Sequence, residues 1–386
     1  MRLSDLNSEL SRPSGFFRRI FSPIDGTMLF VLLLLAAVSL VTMYSAATGV
    51  SGRFDKHVLN LSIFFGVVFV VAYIPPKWLM QAAVPLYLVG VLLLLAVASP
   101  MGISSKGAQR WLNVGVRVQP SELLKIAVPL MLAYFFHITG TLHGRRAWQV
   151  FGVATALLLL PFALIAKQPD LGTALLVVFA GSYVIFFAGL NWKIVVGLLS
   201  MAVILVSTLL SLLHTSVATD VFHLKPYQIT RIETLLDPTS DPRGAGFHII
   251  QGEIAIGSGG VLGKGWQQGT QSQLEFVPER STDFLLAVFS EEFGLVGNIL
   301  LLVLYSFLIL RGLSIAHGAS TRFERLLAGA ITMIIFTYVF VNMGMVLGML
   351  PVVGVPLPFM SYGGTALITL GVGCGILMSV HHHRIR

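Results

Sequence analysis

The sequence contains few charged side chains, which make up 11% of its 386 residues. A typical soluble domain has about 25%. Hydrophobic residues account for 55% of the chain. This number of charges is too small to cover the surface of an ordinary soluble globular protein. The composition therefore indicates an integral membrane protein.

Cysteine is nearly absent, because Cys374 is the single cysteine and lies in an apolar run. An intrachain disulfide and a thiolate metal cluster are therefore excluded. The run His381–His383 favours a polar cytoplasmic end over a metal site, and we predict no metal ligands. The net charge of +8 suits an anionic partner, such as acidic lipid or a lipid-linked phosphate. The charges are too sparse and dispersed to favour nucleic acid.

Long apolar runs dominate the chain. The first, from Met28 to about Ala47, is too long for the core of a signal peptide. Backbone groups in hydrocarbon must be hydrogen-bonded internally, so each run is predicted to be an α-helix. We expect an all-α, polytopic membrane protein of about ten helices, with residues 1–386 as one domain. The later runs of spanning length lie at about 58–74, 82–98, 119–137, 149–166, 171–189, 193–213, 284–310, 326–347 and 360–380.

Basic residues predict the orientation. More of them fall in the loops and tails on the side of the N-terminus, which places both termini in the cytoplasm. A long segment, at about 214–283, is then extracytoplasmic. Basic residues are also frequent on that outer face. They indicate either that an anionic ligand binds there or that the loops are merely soluble and form local salt bridges. These basic residues are Arg110, Arg117, Lys125, Lys167, Lys225, Arg231, Arg243, Lys264 and Arg280.

The long outer segment exceeds the usual loop length, and such loops are commonly functional. Tyr227–Asp237 is predicted to form a short amphipathic helix that carries Arg231. Phe247–Ile256 is expected to be a half-buried, re-entrant or interfacial piece. The glycines of Gly257–Gly269 indicate either close backbone packing or a mobile flap.

Polar residues cluster at the predicted outer ends of three spans. Gln119, Glu122 and Lys125 are spaced to share one helix face, close to Arg110. Ionisable residues inside a span suggest a functional site. The alternative is a Glu122–Lys125 pair that only neutralises itself. The second cluster contains Asp170, which either caps the next helix or faces Lys125 in a polar cavity.

The third cluster is Glu279–Asp283. We expect Ser281 or Thr282 to cap the next span, with Asp283 in its first turn, where the helix dipole favours an ionised acid. Before the last span, Pro351–Pro358 and Ser361 indicate a broken segment that lines a cavity, or helices that pack through small residues.

These motifs together resemble the SEDS family of cell-wall polymerases over nearly the whole chain. Within that family, the elongation branch (RodA) is more similar than the division branch (FtsW). One departure is Ser281, where family members usually carry His. The similar stretches are Arg110-Trp111, Gln119–Glu122 with Lys125, Gln168–Thr173, Asp237-Pro238, Gln273–Gly297, Pro351–Pro358 and Ser361–Gly364.

The resemblance implies a peptidoglycan glycosyltransferase of the bacterial cytoplasmic (inner) membrane that serves cell elongation. Such proteins polymerise lipid II, a disaccharide-pentapeptide on undecaprenyl diphosphate, at the outer face. They work with a class B penicillin-binding protein and other proteins of the elongation complex. The essential acid of the family corresponds to Asp283.

We therefore expect Asp283 to act as general base in an inverting reaction. Four cations are expected to bind diphosphate, namely Arg110, Lys125, Arg231 and Arg280. Gln119, Glu122, Asp170 and Ser361 are expected to orient them or to line the cavity. No cofactor is certain, and a divalent cation such as Mg²⁺ stays open. The alternatives are a lipid II flippase and a scaffold that activates the penicillin-binding partner.

Overall fold

A computed structural model describes most of the chain. The described residues are 22–100, 102–105, 108–113, 117–140, 145–168, 170–212, 226–241, 244–274, 276–277 and 279–384.

Each of the ten predicted spans has a helix as its counterpart. Eight of the described helices are long and apolar enough to cross a membrane. The seventeen-residue α6 is a shorter apolar helix. The ten are α1 (Gly26–Ala46), α2 (Arg53–Ala72), α3 (Pro76–Ala98), α4 (Pro120–Thr139), α5 (Arg145–Lys167), α6 (Leu171–Phe187), α7 (Trp192–Leu212), α11 (Leu285–His317), α12 (Arg322–Val346) and α13 (Gly364–His383).

Shorter elements lie in the described part of the long segment before α11. The predicted amphipathic helix is α8 (Pro226–Leu236), and the predicted half-buried piece is α9 (Ala245–Gly259). A single turn, α10 (Thr270–Gln273), follows, and a 3₁₀ turn (Pro238–Ser240) lies between α8 and α9. Asp237 is the N-cap of the 3₁₀ turn. Its carboxylate accepts a hydrogen bond from the backbone N–H of Thr239 at 3.0 Å.

A small antiparallel sheet between α3 and α4 is absent from the sequence prediction. Its strands are β1 (Gly102–Ser105), β2 (Ala108–Asn113) and β3 (Arg117–Val118), in the order β1-β2-β3. Strand β2 carries Arg110, so this sheet places a basic side chain beside Asp170, at the start of α6.

Small residues let the core helices approach closely. Of the eight candidate spans, α12 has the largest buried share. A β-carbon added to Gly375 of α13 would lie 2.6 Å from the Val71 side chain of α2. One added to Gly371 would lie 3.1 Å from Phe64. Membrane helices commonly pack through such small residues, because lipid supplies no hydrophobic drive for their association.

A sharp break at Gly294 divides α11 into a short first part and a long second part. Its φ of 64° and ψ of −161° suit only glycine. The break frees helix amides, and the glycine-rich loop 260–265 satisfies them. The N–H groups of Leu295 and Val296 donate to the carbonyls of Gly260 and Val261, at 3.0 and 3.1 Å. Of the two alternatives for the glycine-rich segment, these hydrogen bonds match close backbone packing for residues 260–265.

The segment before α13 is broken, as its prolines predict. Residues 351–357 adopt no helix, and α13 begins only at Gly364. The carbonyl of Pro358 accepts from the Tyr305 hydroxyl at 2.6 Å, and Ser361 Oγ accepts from the N–H of Leu357 at 3.0 Å. Side chains thus replace the hydrogen bonds that a helix would supply.

The opposite end of the bundle is fastened by an ion cluster around Asp25, the residue that caps α1. Arg311 Nε donates to its carboxylate at 3.0 Å, and His381 Nε2 lies 3.3 Å away. Burial raises the pKa of Asp25, but the hydrogen bonds from Arg311 and from the Met28 amide outweigh it and hold the pKa below its usual range.

The Gly294→Ala substitution should destabilise the protein by about 1–3 kcal/mol from backbone strain alone. A β-carbon there would also lie 2.3 Å from the Gly263 nitrogen. We expect a clear fall in the unfolding temperature of the detergent-solubilised protein. The matched control is Gly66→Ala in α2, where a β-carbon meets nothing within 4 Å. An unchanged unfolding temperature for Gly294→Ala would contradict the described break.

The Asp25→Asn substitution should lower the free energy of unfolding at neutral pH by about 1–2 kcal/mol. A lowered folded-state pKa stabilises the protein above the unfolded pKa and ceases to do so as pH falls through the folded pKa. The difference from wild type should therefore shrink toward acidic pH in denaturation titrations. Asp55→Asn, at an exposed acid, is the control. A difference that stays constant with pH would count against the ion cluster.

Candidate functional site

Asp283 lies in a non-helical loop immediately before α11 and is half-buried. Asn342 of α12 fixes its backbone, since Asn342 Nδ2 donates to the Asp283 carbonyl at 2.8 Å. The same nitrogen donates to the Val355 carbonyl at 2.8 Å. A β-carbon added to Gly354 would lie only 3.5 Å from the Asp283 carboxylate. The acid therefore lies between α12 and the broken segment before α13.

The loop around Asp283 is also bound to α2. The buried Ser281 accepts a hydrogen bond from Arg53 Nη1, and its carbonyl accepts from the Tyr362 N–H at 2.9 Å. The Arg53 guanidinium lies over the Tyr362 ring, 5.5 Å from its centroid. Arg53, Ser281 and Tyr362 are distant in sequence but contact one another here, and Ser281 lies only two residues before Asp283.

The expected cap of this span is wrong. Helix α11 begins at Leu285, and its N-cap is Phe284, which offers no side-chain hydrogen bond. Ser281 is bound to Arg53, and the Thr282 hydroxyl donates to the Glu279 carboxylate at 2.8 Å. Asp283 consequently precedes the helix instead of lying in its first turn.

Arg280 is buried in the same loop and binds backbone oxygens. It donates to the carbonyls of Ser272 and Thr48. The guanidinium therefore holds the end of α1, the turn at α10 and the Asp283 loop together. Its predicted role in diphosphate binding stays a prediction, and this geometry favours a structural role.

Asp170 has the predicted capping role at the start of α6, and its ionic partner among the described residues is Arg110, whereas Lys125 binds Glu122 and Tyr338. The Asp170 carboxylate caps the helix by accepting from the Thr173 hydroxyl at 2.9 Å. It also accepts from Gln119 Nε2 at 3.0 Å and lies 3.6 Å from Arg110 Nη1. The Arg110 side chain is 29% exposed, so it stays accessible to a ligand.

Lys125 is buried in the bundle and is paired internally. Its ammonium donates to Glu122 and to the Tyr338 hydroxyl, both at 2.6 Å. Glu122 accepts in addition from the Thr369 hydroxyl at 3.0 Å. This arrangement matches the alternative in which Glu122 and Lys125 neutralise each other, and it ties α4 to α12 and α13.

The broken segment links the Asp170 cluster to the Asp283 loop. A β-carbon added to Gly172, at the start of α6, would lie 2.5 Å from the Val353 carbonyl. Val353 immediately precedes Gly354, which faces Asp283. Two of the three predicted polar clusters therefore flank one extended stretch of backbone. Ser361 is buried and bonds within that segment, so its side chain contributes to its fold.

A buried acid pair that the sequence analysis did not assign lies at the end of the short first part of α11. Glu291 accepts from Lys264 Nζ at 2.7 Å and from the N–H groups of Gln271 and Ser272, at 2.9 and 3.1 Å. Glu292 accepts from Ser45 of α1 and from the Gln267 N–H. Together the two acids bind the segment from Lys264 to Ser272 and hold it against α11. The sequence signal for them is two adjacent acids inside an apolar span.

Some predicted residues lie outside what the structure describes. Helix α8 is described, but the side chain of Arg231 is not, and the same holds for Arg117 in β3. Pro169, Lys225, Arg243 and the N-terminal residues 1–21 are also outside the described residues. Among those described, no group of three or more His, Cys, Asp or Glu residues is arranged to hold a metal ion.

Comparisons with known proteins agree with the motifs. The peptidoglycan glycosyltransferase MrdB of Escherichia coli K12 is 49% identical over 362 residues, which cover 94% of each chain. A solved chain of a peptidoglycan synthase complex that coordinates polymerization and crosslinking has a TM-score of 0.77 at 30% identity, and covers 93% of this chain and 98% of its own. The rod shape determining protein RodA of Thermus thermophilus has a TM-score of 0.68 at 28% identity, with 94% and 98% covered.

The family model of the FtsW, RodA and SpoVE cell cycle proteins matches residues 25–386. Since this match spans nearly the whole chain, the protein belongs to the FtsW/RodA/SpoVE family.

Proposed function

We propose that the protein is a peptidoglycan glycosyltransferase that polymerises lipid II into β-1,4-linked glycan strands at the outer face of the bacterial cytoplasmic membrane. Its family membership and the peptidoglycan glycosyltransferase MrdB of Escherichia coli, 49% identical, support the activity. The distribution of basic residues supports the outer face, because short loops on the Asp283 side carry fewer of them.

One observation carries the catalytic assignment. Asp283 is a half-buried acid in a polar loop at the end of the bundle, and Asn342, Ser281 and Arg280 fasten that loop to three other parts of the chain. A carboxylate that is both accessible and held in place is what general-base catalysis requires.

The reaction needs a proton acceptor. The 4-hydroxyl of the acceptor's GlcNAc attacks the donor's anomeric carbon, and Asp283 takes the hydroxyl proton. The bond from that carbon to the diphosphate oxygen breaks, and the diphosphate leaves with the electron pair. Attack opposite the leaving group inverts the anomeric centre and gives a β-1,4 link. Such a base supplies a factor of about 10²–10⁴ in rate.

The leaving diphosphate requires cations, because preorganised positive charge stabilises the negative charge that develops on it. Arg110 is partly exposed and shares Asp170 with Gln119, so it suits this role. Lys125 is buried with Glu122 and Tyr338, so its contribution is indirect. A divalent cation, where bound, would be held by the Asp283 carboxylate and would offset the negative charge of the diphosphate.

The proposed partner is a class B penicillin-binding protein, together with other proteins of the elongation complex. The similar solved chain belongs to a peptidoglycan synthase complex in which polymerization and crosslinking are coordinated, and this supports such a partner.

The Asp283→Asn protein should form no glycan strands, because an amide cannot accept the proton. Purified protein, alone and with its penicillin-binding partner, would receive fluorescent lipid II in detergent, and products would be separated on a gel. We expect ladders from wild type and a loss of at least about 10²-fold in the variant. Glu279→Gln, at an exposed acid of the same loop, is the control and should retain activity.

Two outcomes would contradict this assignment. If a folded Asp283→Asn protein still makes polymer, Asp283 is not the base. If neither protein makes polymer while wild type moves lipid II between leaflets of liposomes, the flippase alternative is correct. A variant that still assembles with its partner and supports growth would favour the scaffold alternative.

The Asn342→Leu protein should bind lipid II normally but polymerise it slowly. The substitution removes both hydrogen bonds that fix the Asp283 and Val355 carbonyls, and misplacement of a catalytic group by about 1 Å can cost about 10²-fold in rate. We expect kcat to fall by about that factor with little change in KM. Asn191→Ser, at an exposed site at the other end of α6, is the control. Equal changes in kcat for both variants would refute the positioning role.

A further inference from the structure

Arg53 is a cation at the site that the sequence analysis did not select. It is the first residue of α2, and it contacts the Asp283 loop through Ser281 and Tyr362. A cation in the first turn of a helix is opposed by the helix dipole. Its own helix therefore gives no reason for an arginine at this position.

The other basic side chains discussed for this end of the bundle have partners within the protein. Arg280 binds two carbonyls, Lys264 binds Glu291, and Lys125 binds Glu122. Arg110 shares its charge with Asp170 but is partly exposed, so it keeps the diphosphate role proposed above. Each of these side chains has a carboxylate or carbonyl partner within the protein.

Arg53 differs because no carboxylate is paired with it in the described part of the chain. One of its donors is used by the Ser281 hydroxyl, and the Tyr362 ring covers one face of the guanidinium. An arginine presents five N–H donors in a fixed fork, so most remain available. The side chain is half-buried, and therefore both accessible and partly removed from water.

A half-desolvated guanidinium without a counter-ion is well suited to bind an anion. Its planar fork matches the oxygens of phosphate, with charge-assisted hydrogen bonds. Ser281 and Asp283 are two residues apart, so their Cα atoms lie within about 7 Å. The acceptor hydroxyl attacks the carbon that carries the diphosphate. A group that binds the diphosphate must therefore lie close to the base, as Arg53 does.

We propose that Arg53 binds a phosphate of the lipid-linked diphosphate at the Asp283 site. This inference rests on the proposed function for the identity of the substrate. The Ser281 hydroxyl takes up only one of the Arg53 donors, so the others stay available to the ligand.

The test measures binding of undecaprenyl diphosphate directly, in the non-polymerising Asp283→Asn background, so that binding is read without turnover. Fluorescently labelled protein in detergent is titrated with undecaprenyl diphosphate. We expect Arg53→Gln to weaken binding by about tenfold or more, which is the loss of one charge-assisted interaction. Arg53→Lys keeps the charge but loses the planar fork of donors. Its affinity should therefore lie between that of the parent and that of Arg53→Gln.

Two control variants separate ligand binding from a structural role. Ser281→Ala removes the hydrogen bond to Arg53 but keeps the cation, so binding should stay within about threefold of the parent. Lys56→Gln makes the same charge change on the same helix at an exposed position, and should leave affinity unchanged. If Ser281→Ala weakens binding as much as Arg53→Gln, Arg53 only fastens the loop and the inference is wrong.

The inference and the proposed function fail in different ways. Equal affinity of Arg53→Gln and its parent, or no binding by the parent, overturns the inference even if wild type makes glycan. Conversely, wild type that binds the diphosphate lipid through Arg53 but makes no polymer overturns the proposed function alone. If Arg53→Gln does not purify as folded protein, Arg53→Lys decides, since it must weaken binding measurably.

Discussion

The side-chain amide of Asn342 joins the Asp283 loop to the broken segment before α13, and the rest of the proposed site depends on this contact. Both of its N–H groups are used, one on the Asp283 carbonyl and one on that of Val355, at 2.8 Å each. Neither stretch is part of a regular helix, so contacts from other parts of the chain fix its position. One buried amide on the most buried span therefore decides where the acid lies relative to the extended backbone.

The helical framework could be predicted because apolar length alone determines spans in a bilayer. The break before α13 was also predictable, since Pro351, Pro356 and Pro358 cannot all be accommodated in a helix. The break at Gly294 was not, because a single glycine in an apolar run is common in membrane helices. Its cause is the loop 260–265, which packs there through backbone contacts. The β1–β3 sheet was missed because its strands are short and polar.

The site was predictable only in part. Asp283 was selected as the candidate acid by its place at the end of a polar loop, a local property of the sequence. The partners of the cations are not local: Lys125 meets Tyr338, Arg280 meets Thr48, and Arg53 meets Ser281, 228 residues away. No spacing rule reveals such pairs, so a sequence cannot distinguish a cation that is neutralised within the protein from one that is available to a ligand.

The contact between Ser45 and Glu292 has a consequence for how the protein is made. These residues, 247 positions apart, join the end of the first span to the acid pair beside Gly294. The ribosome releases α1 long before α11 is synthesised. The contact between Ser45 and Glu292 therefore cannot form until α11 is in place. Closing so large a loop delays folding, because its entropy is lost before the contact forms. The end of the bundle that carries the proposed site is therefore completed late in biosynthesis, after most of the helices have been inserted.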